Sequence, residues 1–146
     1  ATWEEINLED KIWTIPATRM KMREEQIVPL NNIAYKILSE MTKHNSSQFI
    51  FLNESKKSHI DNNKMRLALK EYFPKFYAET VPHGFRSSFR NWAEENHNFS
   101  RRAVELCLAH SNKNKVEKAY LRSNLLEKRK IIMKEWNSFI VSKINE

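Results

Sequence analysis

Lys21, His83, Arg86, His110 and Tyr120 are the side chains of this sequence whose types and order could do chemistry at a phosphate. His83 and Arg86 stand in Pro82-His83-Gly84-Phe85-Arg86, His110 closes Leu108-Ala109-His110, and Tyr120 follows in Ala119-Tyr120-Leu121-Arg122. Breaking a phosphodiester without metal needs an oxygen nucleophile, cationic donors for charge building on the non-bridging oxygens, and a proton donor for the departing oxygen. The Tyr120 hydroxyl can attack phosphorus in line and conserve the bond energy in a phosphotyrosyl link. Arg86 offers a planar, permanently charged fork that can hold two phosphate oxygens, which a lysine cannot imitate. Imidazole titrates near neutrality, so His83 can act as general acid or base and His110 can donate to a phosphate oxygen. Lys21, between Arg19 and Arg23, can protonate a leaving oxygen. Each residue alone has an ordinary structural use: Tyr120 as an aromatic anchor, Arg86 in a helix-start ion pair, Lys21 as a solvated lysine. The ordered set is what points to chemistry.

Composition narrows the alternatives. The chain has 146 residues, 25 Lys plus Arg against 18 Asp plus Glu, a net charge of +7 and a pI near 9.5. That balance favours a polyanionic partner, although charge alone does not separate DNA, RNA and membrane. Gly84 is the single glycine, which removes the P-loop and the dinucleotide fingerprint, since both need several glycines for backbone approach to phosphate. Cys107 is the single cysteine, so neither an internal disulfide nor a cysteine-based zinc site is available, and a buried structural thiol is expected. His44, His59 and His97 lie in polar stretches without matching partners. With no run of about 18 apolar residues and no leader pattern, neither a spanning helix nor a signal peptide is expected, and the location expected is cytoplasmic.

The elements that must position these residues follow from periodicity. Residues 3–6, 11–15 and 26–30 carry strand-type signals separated by polar turns, which predicts a small antiparallel meander. From Asn31 the period becomes helical, with Ile33, Ile37, Leu38 and Met41 on one core face and Met65, Ala68, Leu69, Tyr72, Phe73 and Phe76 on another. Pro82 predicts that the chain enters His83-Gly84-Phe85-Arg86 as a loop before a helix bearing Phe85, Phe89, Trp92 and Ala93, which puts Arg86 at a helix start. A short helix is expected over 101–108. A last helix carries Leu125, Ile132, Met133, Trp136 and Ile140, with Asn124 and Glu127 as a capping box. Trp92 and Trp136 are read as core.

The His-x-x-Arg, Leu-x-His and Ala-Tyr-x-Arg boxes, with ten residues from His110 to Tyr120, resemble those of the tyrosine recombinases, the phage integrase family. The spacing is similar to the branch of satellite-phage and genomic-island integrases. Upstream, Trp13-Thr14-Ile15-Pro16-Ala17-Thr18-Arg19-Met20-Lys21-Met22-Arg23 and then Val28-Pro29-Leu30 looks like that branch's β-hairpin with its catalytic lysine, here Lys21. The stretch from Asn124 through Arg129 to Trp136 is similar to the branch's final helix. The resemblance implies an α+β, mainly α-helical catalytic domain with a small antiparallel β-sheet at the N-terminal end. It implies site-specific cleavage and rejoining of DNA through a 3′-phosphotyrosine intermediate. Tyr120, Arg86, His83, His110 and Lys21 would be catalytic, and Arg19, Arg23 and Arg122 would contact DNA. It further implies no metal or other cofactor, double-stranded DNA attachment sites as partner, and tetramer assembly on DNA.

Two departures set further expectations. The family's first arginine, in an Arg-x-x-Glu box, would precede Thr2, and no residue of the chain fills that place; Gln26 stands where the branch often has histidine. Residues 1–146 are therefore expected to be a catalytic domain truncated at its N-terminus, without the core-binding and arm-binding domains and inactive alone. The rival readings are a catalytically inactive DNA-binding module derived from an integrase, and an interaction role in which the last helix, with Trp136, Phe139 and Ile140, docks on a neighbouring protomer.

Overall fold

Three short strands open the chain: β1 (Ile6–Asn7), β2 (Ile12–Ile15) and β3 (Gln26–Pro29), an antiparallel meander in the order β1-β2-β3. They belong to a computed structural model that describes residues 1–44, 46–55, 58–79, 82–96, 98–110 and 125–145. The register sets Ile6 opposite Trp13 and Trp13 opposite Val28, so these three apolar side chains share one sheet face. The β1–β2 turn is closed by Asn7, whose Oδ1 accepts the Asp10 N–H at 2.9 Å. Residues 3–5, expected to extend the first strand, form a 3-10 turn instead. The cause is Glu5. Its carboxylate accepts the Trp13 indole N–H at 3.0 Å and the Thr2 N–H at 3.4 Å, and it pairs with Arg19. Extending β1 backward would set Glu5 opposite Thr14, on the sheet face away from Trp13.

The helices among the described residues are α1 (Asn32–Thr42), α2 (Lys64–Tyr72), α3 (Pro74–Glu79), α4 (Gly84–Asn96), α5 (Arg101–Cys107) and α6 (Leu126–Ile144). The architecture is α+β and mainly helical, as the sequence implies. Asn31 caps α1 by accepting the Ala34 N–H at 2.8 Å. Of the face expected to be core, Leu38 is buried but Ile37 is exposed. Pro74 cannot continue α2, so two short helices fold against each other, joined by Arg66 Nη1 to the Tyr77 hydroxyl at 2.9 Å. Met65, Tyr72, Phe73 and Phe76 are exposed, which corrects the expectation of a second core stripe. Among the described residues that face meets α4 at Phe76, which stacks on Phe85 and is still half exposed.

The core lies where α4, α5 and α6 meet. Phe89, Trp92 and Ala93 of α4 pack with Ala103 and Val104 of α5, Leu108 just beyond it, and Ile132 of α6. Trp136 lies 5.0 Å from Trp92 between ring centroids and meets Phe89 edge-on at 5.5 Å. Truncating Phe89 or Trp92 to alanine costs about 3–5 kcal/mol, the range for large aromatics in a packed core. Phe85, expected on the same face, is exposed and stacks on Phe76 instead. The N-cap of α6 is Leu125, with φ 51°, and Glu127 pairs with Lys130 at 2.9 Å; the capping box expected there depends on Asn124. Asn124 lies outside the described residues. Cys107 is half-buried; burial pushes its thiol above the ordinary range, with Arg129 offsetting part of the effect. Arg129 itself is 2% exposed and donates to the Ile27 carbonyl of β3. No helix among the described residues is long and apolar enough to cross a membrane.

Candidate active site

Arg86 and His110, distant in sequence, meet where α4 begins and α5 ends. α4 starts at Gly84, two residues before Arg86, so Arg86 sits in the first turn, at the helix start as expected, while the loop expected over 83–86 gives way to helix from Gly84; the Arg86 N–H donates to the His83 carbonyl at 3.1 Å. Phe89, Trp92 and Ala93 hold one face of α4 in the core. Arg86 and Arg90, one turn apart, lie half-buried beside that face, toward the end of α5.

The end of α5 is shaped to present His110. The Ala109 N–H donates to the Leu106 carbonyl at 3.2 Å and the His110 N–H to the Glu105 carbonyl at 2.9 Å, with Ala109 left-handed at φ 53°. This is a Schellman closure with alanine where glycine is usual. The Leu108 carbonyl, left over at the helix end, accepts from Arg86 Nη2, a favourable place for a cation. The same Nη2 lies 3.0 Å from His110 Nε2.

A chain of charges continues from there. His110 Nδ1 bonds the Glu105 carboxylate; the other Glu105 oxygen lies 3.3 Å from Arg90 Nη2, and Arg90 Nε lies 3.2 Å from Glu94. Arginine only donates, so Nε2 is the accepting nitrogen of the neutral ring and Nδ1–H donates to Glu105, an assignment made from the network. Nε2 becomes a donor only when the ring takes a second proton, and Glu105 then forms an ion pair with it. Both contacts of Arg86 use Nη2, leaving the donors on Nε and Nη1 outside them. A guanidinium and an imidazole that converge in this way can clamp an anion when the ring carries both protons and Nε2 donates.

Lys21 is exposed in the long β2–β3 connection, between a 3-10 turn at Ala17–Arg19 and Arg23, which is left-handed at φ 54°. The base of that hairpin is anchored: Gln26 Nε2 donates to the Leu106 carbonyl at 2.8 Å, beside Arg129 on Ile27. His83 is exposed at the start of α4. Among the described residues neither the Lys21 nor the His83 side chain hydrogen-bonds to the Arg86–His110 pair. Arg19, expected to contact DNA, is ion-paired with Glu5, and burial of the Glu5 carboxyl is outweighed by its bonds from Arg19, Trp13 and Thr2, which hold it below the usual range. Tyr120 and Arg122 lie outside the described residues. Sequence reasoning missed Glu105 and Arg90, and it noted Gln26 and Arg129 only through the resemblance, without their bonds to Leu106 and Ile27. The available signals were local: Glu105 falls one helical turn before the end that bears His110, and Arg90 lies four residues after Arg86.

The chain matches the model of the phage integrase family over residues 1–127. It is 37% identical over 143 residues to Prophage integrase IntA of Escherichia coli K12, covering 96% of this chain and 34% of that protein. It is 29% identical over 155 residues to the Integrase of Enterobacteria phage P4, covering 96% and 35%. Against the Integrase of Shigella phage Sf6 it is 29% identical over 145 residues, covering 97% and 37%. The chain thus spans about a third of the length of these relatives. No solved structure matches it significantly. With the Arg86–His110 pair standing at the junction of two helices and the family model spanning most of the sequence, this chain belongs to the phage integrase family.

Proposed function

We propose that the chain is the catalytic part of a site-specific DNA recombinase that cleaves and rejoins strands through a 3′-phosphotyrosine link. The observation that carries this reading is the 3.0 Å approach of Arg86 Nη2 to His110 Nε2 across 24 residues of sequence. It joins the two boxes that phosphate clamping requires, in a chain of net charge +7. The scissile phosphate binds at the remaining donors of Arg86 and beside His110. The Tyr120 hydroxyl attacks phosphorus, its proton passing to His83. The phosphorus–O5′ bond breaks, and Lys21, exposed on the hairpin, protonates the leaving 5′ oxygen. Rejoining is the reverse, a free 5′ hydroxyl displacing the tyrosine. Duplex attachment sites are the substrate, Arg23 and Arg122 contact the backbone near the cut, and four copies act together on two duplexes.

The 146-residue chain alone is expected to be silent. Positioned cationic donors act as a unit on the transition-state oxygens. Arg90 is engaged by Glu94 and Glu105, and Arg19 by Glu5, so neither is at hand as a second clamp beside Arg86. The deciding experiment traps the covalent complex on a nicked duplex with the full-length protein and its Tyr120→Phe variant. The variant should bind DNA as the wild type does and form no adduct. An adduct from the variant removes Tyr120 as nucleophile; DNA binding with no adduct from the wild type points to a non-cleaving module.

A further inference from the structure

Glu105 has no part in the phosphate chemistry set out above, yet it grips His110 at both ends. Its backbone carbonyl takes the His110 N–H at 2.9 Å, and its carboxylate takes ring Nδ1. Its side chain is only 21% exposed, and its second carboxylate oxygen faces Arg90 at 3.3 Å. Arg90 in turn is braced by Glu94 at 3.2 Å, one turn further along α4. The carboxylate is thus fixed from the side opposite His110, and the imidazole is held between Glu105 on one nitrogen and Arg86 on the other. An imidazole can rotate about its side-chain bonds and exchange tautomers; a carboxylate acceptor on Nδ1 restricts both.

We infer that Glu105 is the positioning residue of the cleavage site, holding Nδ1–H of His110 so that Nε2, which donates once the ring takes a second proton, is aimed at the place beside Arg86 where the phosphate binds. It acts through His110 and does not touch the phosphate. Arg90 completes the device by holding the carboxylate in place. This inference rests on the cleavage reading proposed above, and it assigns a role to a pair of residues outside the boxes that carry the resemblance. Removing an outer partner of this kind typically lowers activity about tenfold to a hundredfold, through ring orientation rather than substrate affinity.

The test compares Glu105→Met, which removes the acceptor, with Glu105→Gln, which retains a carbonyl oxygen. In the 146-residue chain, 15N shifts of the His110 ring are recorded at a pH where imidazole is neutral. The wild type should show a protonated Nδ1 and a bare Nε2; Glu105→Met should give averaged shifts from two tautomers, and Glu105→Gln should fall between. In the full-length protein, single-turnover adduct formation should slow by about tenfold or more in Glu105→Met, with partial recovery in Glu105→Gln and no loss of DNA affinity. If Glu105→Met does not fold, as judged by its thermal melt, Glu105→Gln carries the test with an intermediate loss. Unchanged ring shifts, an unchanged adduct rate, or a loss wholly in DNA binding overturns the inference. A wild type that forms no adduct overturns the cleavage reading and this inference with it, whereas wild-type adduct with unaffected Glu105 variants overturns this inference alone.

Discussion

Replacing Ala109 with glycine should stabilise the protein. Ala109 is left-handed, with φ 53°, at the closure that ends α5. A Cβ in that region costs roughly 1–2 kcal/mol from its approach to the following carbonyl. Glycine removes the clash but brings extra freedom to the unfolded chain, returning about 0.4–1 kcal/mol. The net gain is about 0.5–1 kcal/mol, which for a domain of this size raises Tm by about 1–4 °C. Both closing hydrogen bonds, from Ala109 to Leu106 and from His110 to Glu105, are backbone bonds that Ala109→Gly keeps. The measurement is a urea unfolding curve with a thermal melt for each protein. The midpoint should rise with an unchanged slope, since the buried surface is the same. Ala109→Val, with branching at Cβ, should shift the midpoint the other way. A glycine variant no more stable than the wild type would refute the reasoning, because it would mean that the left-handed cap carries no steric cost.

Arg86→Lys in the full-length protein should lower single-turnover cleavage by about a hundredfold or more, the scale for one positioned oxyanion donor; a near-normal rate would make Arg86 structural. Glu5→Gln should alter the acid limb of stability. The folded Glu5 carboxyl is depressed, so its contribution is full above the ordinary glutamate pKa, about 4.3, and is lost as pH falls through the lower folded value. Urea midpoints below about pH 4 should therefore fall less steeply in the variant than in the wild type; parallel curves would mean that Glu5 gains nothing from Arg19 and Trp13. Binding of the 146-residue chain to duplex DNA should weaken steeply with salt and show slight sequence preference, each phosphate contact adding about −0.9 to the slope of log affinity on log salt. A flat titration would remove DNA as the partner of the positive charge.

The meander, the boundaries of α5 and the tryptophan core were legible because each rests on composition, period and local punctuation: the β-branched and aromatic run in 12–15, the apolar face of Phe89, Trp92 and Ala93, Pro82 before α4. The turn at Trp3–Glu5 was not, because a carboxylate that collects Trp13 and Arg19 decides it from a distance. The α2–α3 face misled for the opposite reason: its spacing is that of a core stripe, but periodicity reports which residues share a face and not whether anything covers it. At the site, the boxes around Arg86 and His110 could be read and their meeting is visible. Lys21 and His83 could be placed only on their elements, and Tyr120 lies outside the described residues. Glu105 escaped notice because a glutamate inside a helix looks solvated until its ring partner is known.

The buried guanidinium of Arg129 also governs when this domain can form during synthesis. Its bond to the Ile27 carbonyl spans 102 residues of sequence, and the bond from the Ile33 N–H to Asn137 Oδ1 spans 104. Contacts of that separation form late, after the entropy of closing a long loop has been overcome. On the ribosome, β3 and the start of α1 emerge first and wait with these positions unmet while nearly the whole chain is translated. A stalled or prematurely ended product lacking α6 therefore exposes Phe89, Trp92 and Val104, the surface that α6 otherwise seals, and becomes a substrate for chaperones and proteases.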